Sequence, residues 1–310
     1  MTTDEKLAAI LAAVQTDPGG RGLARDPHDN LFTACPGDFA AACLSFLSDP
    51  EAALDVTTGF FIPDATPPAY ETDGPLGAAF LLRAIAALGY QVSVGSRQLC
   101  AEAIAKAIES KGELSVDVIE LKDDSAEPEF VIQAAGTWPG YMGTHYLAIE
   151  CVGRAGDDRY YTMRGRDITK HTKPVDTAFI RHADAHDLVT IGIGDGGNEI
   201  GMGKIPHETV VKNIPNGDLI HCRVPTDHLI VAGVSNWGAY ALAAGVYVLR
   251  GVTPPADLFD PDRERAILEV MVREGPLVDG VTGEQTATVD GLTWDEYARP
   301  LVRIREILGS

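Results

Sequence analysis

The sequence predicts an α/β protein: a mainly parallel, Rossmann-like sheet with helices on both faces and an antiparallel hairpin inserted into it. Short runs rich in β-branched and aromatic residues alternate with longer runs of helical periodicity, the pattern of strand–helix–strand units with right-handed crossovers. A glycine-rich loop, Gly192 to Gly203, follows directly on the buried-type run Leu188-Val189-Thr190-Ile191, as a strand-to-helix turn does. No internal repeat or low-complexity linker interrupts the chain. Its 310 residues are therefore expected to form a single domain, with an N-terminal helical segment over about 1–50 and the hairpin insertion over about 140–185.

The elements follow in order. Residues 3–15 place Leu7, Ile10, Leu11 and Val14 on one helical face with acids in the first turn, and Asp17-Pro18-Gly19-Gly20 ends that helix. Arg21 and Arg25 come next in a glycine-rich segment, compatible with solvated loop charges or with anion binding. A second helix is expected from Pro36 to Leu47, and a strand over Leu54–Ile62. The acidic loop Glu71-Thr72-Asp73-Gly74-Pro75 leads into a helix over about 76–88 that is apolar on most faces, as a helix packed on a sheet should be. Gln91–Gly95 reads as a strand, Gln98–Ser110 as a helix, and Val116–Leu121 as another strand. His145–Glu150 and Arg159–Arg164 read as the two arms of the hairpin, turning at Gly153–Asp158. Leu229–Val234 is a buried-type strand running into Ser235-Asn236, then a helix over about 240–249. Helices around 262–274 and 294–308 complete the chain as outer layers.

The chain carries 45 acidic and 25 basic residues, a net charge of −20, with no Lys/Arg-rich block. A surface of that sign repels phosphate backbones and anionic lipid, so neither nucleic acid nor a membrane is an expected partner, whereas divalent cations are attracted. A small anionic substrate is the expected ligand, and it needs arginine or a bridging metal to overcome the overall field. Five dispersed cysteines and an acidic start without a signal-peptide core point to reduced thiols and a cytoplasmic setting. Association into a homo-oligomer is left open.

The loop Gly192-Ile-Gly-Asp-Gly-Gly-Asn-Glu-Ile-Gly-Met-Gly203 gathers Asp195, Asn198 and Glu199 among six glycines. Two carboxylates and an amide suit a hard cation, Mg²⁺ or Mn²⁺, which prefers oxygen ligands. Gly192, Gly194 and Gly197 do match G-x-G-x-x-G. No acidic residue stands at the offset a dinucleotide site needs, however, and Pro206 interrupts the helix that would follow. Loops at the carboxyl ends of parallel strands share one edge, so the Glu71–Asp73 loop is expected to meet this one. The candidate metal ligands are Glu71, Asp73, Asp195 and Glu199, with capping of the following helix an open alternative for Asp73. Arg164, with Arg166 second, is the candidate clamp for a substrate anion, or else a partner of surface acids. Asn198, the backbone at Gly196 and Gly197, and Asn236 are further candidate ligand contacts, Asn236 alternatively a helix cap.

Four segments together resemble the C-terminal domain of D-glutamate cyclase and its stand-alone bacterial and archaeal relatives. They are Thr58-Gly59-Phe60 with Pro63, Glu71 to Pro75, His145-Tyr146 through Met163-Arg164-Gly165, and Gly194 to Gly203. The resemblance implies a lyase that closes D-glutamate to 5-oxo-D-proline with loss of water. The longer cyclases carry an additional N-terminal domain, for which 310 residues are expected to leave no room. In such a reaction a cation held by Asp73, Asp195 and Glu199 polarises a carboxylate, and Arg164 holds the other carboxylate. His145 is a candidate base, or alternatively a structural histidine. The candidate catalytic residues are thus His145, Asp195 and Glu199. The same constellation serves a Mg²⁺-dependent phosphohydrolase, and a non-catalytic small-ligand sensor is the third reading.

Overall fold

The computed structural model describes residues 1–49, 52–109, 117–120, 143–182 and 188–309. Its centre is a six-stranded sheet in the order β5-β4-β1-β6-β7-β8, formed by β1 (Ala53–Thr58), β4 (Gln91–Ser96), β5 (Asp117–Glu120), β6 (His145–Ile149), β7 (Val189–Gly194) and β8 (His228–Val231). Every neighbouring pair is parallel, with Val56 beside Val94 and Leu147, and Leu147 beside Ile191. The strand order reverses direction between β1 and β6. In open α/β sheets such a reversal opens a crevice at the carboxyl edge, where ligands bind.

Alternation along the strands divides the interior into two cores. Leu147, Ile149, Ile191, Ile193 and Ile230 face one core, and Tyr146, Ala148, Leu229 and Val231 face the other. The larger core is closed by α1 (Thr3–Val14), α2 (Asp38–Ser48), α3 (Pro75–Ala86), α4 (Gln98–Glu109), α8 (Ser235–Arg250), α9 (Pro261–Glu274), α10 (Trp294–Tyr297) and α11 (Arg299–Leu308). On the opposite side lie α5 (Asp176–His182), α6 (His207–Asn213) and α7 (Gly217–Ile220).

Local chemistry accounts for these elements. Thr2 and Glu5 form a capping box at the start of α1, and Asp260 caps α9 ahead of Pro261. The helix α3 buries every residue from Pro75 to Ile85, including Arg83, whose guanidinium pairs with the buried Glu264 of α9 at 2.6 Å. It crosses α8 closely enough that a Cβ on Gly77 would lie 2.8 Å from the Asn236 Cα. That close crossing brings the amino ends of the two helices side by side at the carboxyl edge of the sheet.

The expected hairpin does not form between residues 145–150 and 159–164. All five residues of β6 are buried, which requires cover on both faces, so the segment lies inside the parallel sheet. Residues 160–168 instead turn back on themselves at Gly165, with Thr162 N–H donating to Arg166 O at 3.0 Å and Ile168 N–H to Tyr160 O at 2.9 Å. Among the described residues an antiparallel pair of strands lies elsewhere, between β2 (Phe61–Ile62) and β3 (Ala69–Tyr70), where the strand expected over 54–62 breaks at Gly59. Residues 140–142 and 183–187 of the expected insertion lie outside the described residues, as do the ends of the strand expected over 116–121.

Candidate active site

Four loops meet at the carboxyl edge, following β1, β6, β7 and β8. Asp73 stands immediately before Gly74, whose positive φ of 93° is open to glycine and strained for residues with a Cβ. Its carboxylate does not cap α3, the helix that follows it in sequence. It accepts hydrogen bonds from Ser235 N–H at 2.9 Å and Asn236 N–H at 2.8 Å, the first amides of α8. Asn236 returns the favour: its Oδ1 accepts from Gly74 N–H at 2.8 Å and Gly77 N–H at 2.7 Å, at the start of α3. The two helices cap one another. Both therefore aim the positive ends of their dipoles at one point.

Glu150 follows β6 directly and was not among the residues singled out from the sequence. Its φ of 46° turns the chain out of the sheet, and its Oε2 accepts from Ser235 Oγ at 2.5 Å. Asp195 follows β7 and takes a bond from Arg21 Nη1 at 2.8 Å. Asp73, Glu150 and Asp195 each offer a carboxylate oxygen within 4.8 Å of the others, and all three side chains are buried. Glu199 is not in that group, because its two oxygens accept Asp195 N–H at 3.1 Å and Gly197 N–H at 2.7 Å and so brace the glycine loop from within. Asn198 donates through Nδ2 to Tyr161 O at 2.9 Å, and its buried Oδ1 has no partner.

Removal from water dominates the electrostatics of the cluster. Burial pushes the Asp73 carboxyl up to about 7, with the Asp290 charge adding to the effect. Burial likewise holds Glu150, Asp195 and Glu71 well above the ordinary carboxylate range, reinforced by neighbouring acids and opposed at Asp195 and Glu71 by Arg21. Arg21 is the cation inside the group, bridging Asp195 to Asp290 with both contacts at 2.8 Å. Four buried acids, Glu71, Asp73, Glu150 and Asp195, and the nearly covered side chain of Asp290 thus surround one guanidinium. An all-oxygen donor set in excess of its compensating charge fits a metal ion of hard character.

Above the cluster opens a cleft of about 650 Å³, walled by Arg21, Glu71, Glu150, Asp195 and Asn198, by residues 162–166, and by residues 280–283. Arg166 lines it but pairs with Asp64 at the mouth, both side chains being exposed. Arg164 lines it and makes no ion pair or hydrogen bond among the described residues. At Gly196 a Cβ would lie 2.8 Å from both Asn198 Oδ1 and Glu199 Oε1, so the loop closes only around glycine.

His145 is not brought to this cluster. It sits at the amino end of β6, five positions before Glu150, hence roughly 16 Å away along an extended strand. There it stacks on Phe46 at 4.3 Å and contacts Ser45 Oγ and Thr144 Oγ1, and burial pushes its pKa down to about 4.

The sequence pattern that defines the family described as "D-glutamate cyclase-like, C-terminal" matches residues 10–305. The chain belongs to that family. A human protein, "D-glutamate cyclase, mitochondrial", is 33% identical to it over 255 residues, 80% of this chain and 40% of the human protein. The chain thus spans about 40% of the length of that relative. In this D-glutamate cyclase-like chain, Arg21, Glu71, Asp73, Glu150, Asp195 and Asp290 all fall inside the matched span. Arg21, compatible from its glycine-rich segment with anion binding, instead pairs with Asp195 and Asp290, and neither Asp290 nor Glu150 carries a sequence mark of this site. Each is an isolated charge in a turn-like segment, brought in by tertiary contact. At Asp290 the sequence offers only Asp290-Gly291, a turn dipeptide, with nothing to say where that turn lands.

Proposed function

We propose that this protein is a metal-assisted lyase acting on a small amino dicarboxylate, closing D-glutamate to 5-oxo-D-proline. The observation that carries the reading is the buried Asp73–Glu150–Asp195 group beneath a cleft whose wall presents Arg164, a guanidinium without an ion pair among the described residues. Family membership and the name of the human relative support the choice of substrate. Asp73, Glu150 and Asp195 would hold a divalent cation, Mg²⁺ or Mn²⁺, which supplies Lewis-acid polarisation of the γ-carboxylate.

Ring closure forms a bond between the amino nitrogen and the γ-carboxyl carbon and breaks one C–O bond of that carboxyl. The ammonium sheds two protons as it becomes the lactam N–H, and the departing oxygen leaves with two as water. A group that carries a proton from nitrogen to oxygen, twice in the course of the reaction, therefore balances the step. Glu71 lines the cleft with its carboxyl held above the usual range by burial and by the Asp290 and Asp73 charges, a shift that favours its holding and releasing a proton in such an exchange. Arg164 holds the α-carboxylate, the paired fork of a guanidinium matching a carboxylate edge.

Incubation of the purified protein with D-glutamate and Mn²⁺, followed by chromatography for 5-oxoproline, tests the proposal. Product that depends on the cation and disappears in Glu150→Gln is expected. Hydrolysis of a generic phosphate ester with Mg²⁺, and no 5-oxoproline, would replace this reading with a phosphohydrolase. A thermal shift with Mn²⁺ but no turnover of either compound would replace it with a sensor.

A further inference from the structure

The roof of the cleft comes from the C-terminal part of the chain. Asp279, fully buried, organises it: Oδ1 accepts from Val281 N–H and Thr282 N–H at 2.9 Å, and Oδ2 from Gly291 N–H at 2.8 Å. Asp290 and Gly291 have φ of 56° and 71°, and Leu292 N–H donates to Val289 O at 3.0 Å, the pattern of a tight two-residue turn. The turn points the Asp290 side chain down into the cleft.

One oxygen of that side chain is accounted for, since Oδ1 pairs with Arg21 Nη2 at 2.8 Å. Its other oxygen, Oδ2, is buried and has no hydrogen-bond partner, on a side chain only 5% exposed. A buried carboxylate oxygen left without a donor is unfavourable, and a left-handed backbone at a residue with a Cβ adds to the cost. Arg21 has no need of this arrangement, being bound already to Asp195 and to Gly233 O at 3.1 Å. Nor does Asp290 belong to the three-carboxylate group that fits a cation. The unused acceptor calls for a donor that arrives with the ligand. A positively charged N–H donor matches it best.

We propose that Asp290 Oδ2 receives the amino group of the bound amino dicarboxylate and holds its nitrogen toward the γ-carboxyl. This rests on the lyase reading above and extends it to a specificity-determining contact. Asp290 is then the residue that separates amino dicarboxylates from plain dicarboxylates of the same length.

Calorimetric titration with D-glutamate and with glutarate, which lacks the amino group, tests this in the presence of saturating Mn²⁺, with 5-oxoproline measured at the end of each titration so that the heat of turnover is separated from that of binding. The wild-type protein should prefer D-glutamate. In Asp290→Asn, which tolerates the left-handed backbone, binding of D-glutamate should weaken by about tenfold or more while glutarate changes by less than about twofold. Asp290→Gly, relaxed at this φ, serves if the asparagine variant does not fold. Glu284→Gln, an exposed acid on the same roof, controls for the loss of one negative charge and should leave the preference intact. A preference undiminished in the Asp290 variants, an equal loss of both ligands, or loss of Mn²⁺ binding overturns the assignment and leaves the lyase reading standing. Wild-type protein that binds neither compound overturns both.

Discussion

Glu150 holds a position that only its surroundings make tolerable. Its backbone is left-handed, its carboxyl is buried, and Asp195, Glu199 and Asp73 crowd it with like charge. Glu150→Gln keeps the shape and the bond from Ser235 Oγ while removing one charge. Without metal the variant should therefore melt higher than the wild type, by about 2–4 °C for each kcal/mol of relieved repulsion. Its response to Mn²⁺ in thermal unfolding should vanish. A lower melting point with the Mn²⁺ response preserved would show that Glu150 is structural. Gly74 is the neighbouring residue with no freedom: at φ 93° a Cβ there would lie 2.5 Å from Thr58 Oγ1 and 2.8 Å from Glu150 Cβ. Gly74→Ala is expected to destabilise the fold by about 1–3 kcal/mol in urea unfolding and to weaken cation binding by displacing Glu150. A neutral effect on both would remove the close approach from the explanation.

The mutual capping of α3 and α8 is the device that converts two helices into one binding floor. Asn236→Ala would leave Gly77 N–H without an acceptor in a buried setting, and Gly74 N–H with Asp73 Oδ1 alone at 3.0 Å, for about 1–3 kcal/mol of lost stability. Because Asp73 is held by the same crossing, Mn²⁺ affinity should fall in parallel, and calorimetry of the variant checks it. A loss of stability with unchanged affinity would separate the cap from the site. Most elements were legible in the sequence because periodicity and β-branched runs are local: α1, α3, β4 and α9 fall within one or two residues of expectation. Asp73 and Asp195 were legible for the same reason, each marked by glycines at a strand-to-helix turn. The hairpin expectation failed because an apolar run such as Tyr146–Ile149 pairs equally well in a parallel or an antiparallel ladder, and only the cover on its second face decides. Glu199 has the spacing of a ligand as well, but its bonds to Asp195 N–H and Gly197 N–H depend on how the loop folds and could not be read from spacing.

At the scale of the whole molecule, two sets of buried groups oppose one another as pH changes. Asp73 rises from 3.8 to about 7 on folding, so the stability it contributes is full below pH 4 and is lost as pH rises toward 7. His145 and His221 fall from 6.5 to about 4, so their contribution is full above pH 6.5 and is lost as pH falls toward 4. A cation that binds the ionised acids cancels the first effect alone. The rise in melting temperature produced by Mn²⁺ should therefore grow from pH 5 to pH 8, reaching the equivalent of about 2.7 kcal/mol when the metal stands at a hundred times its Kd. A rise that is flat or shrinking across that range would argue against carboxylate ligation. Arg21, near one terminus, is fastened both to Asp195 in the middle of the chain and to Asp290 near the other. During synthesis the polypeptide can thus assemble its sheet while the reaction chamber still lacks a ceiling. That ceiling is made together with α10 and α11, whose Tyr297, Leu301 and Ile304 fill the last of the larger core, so chamber and core are finished in one step.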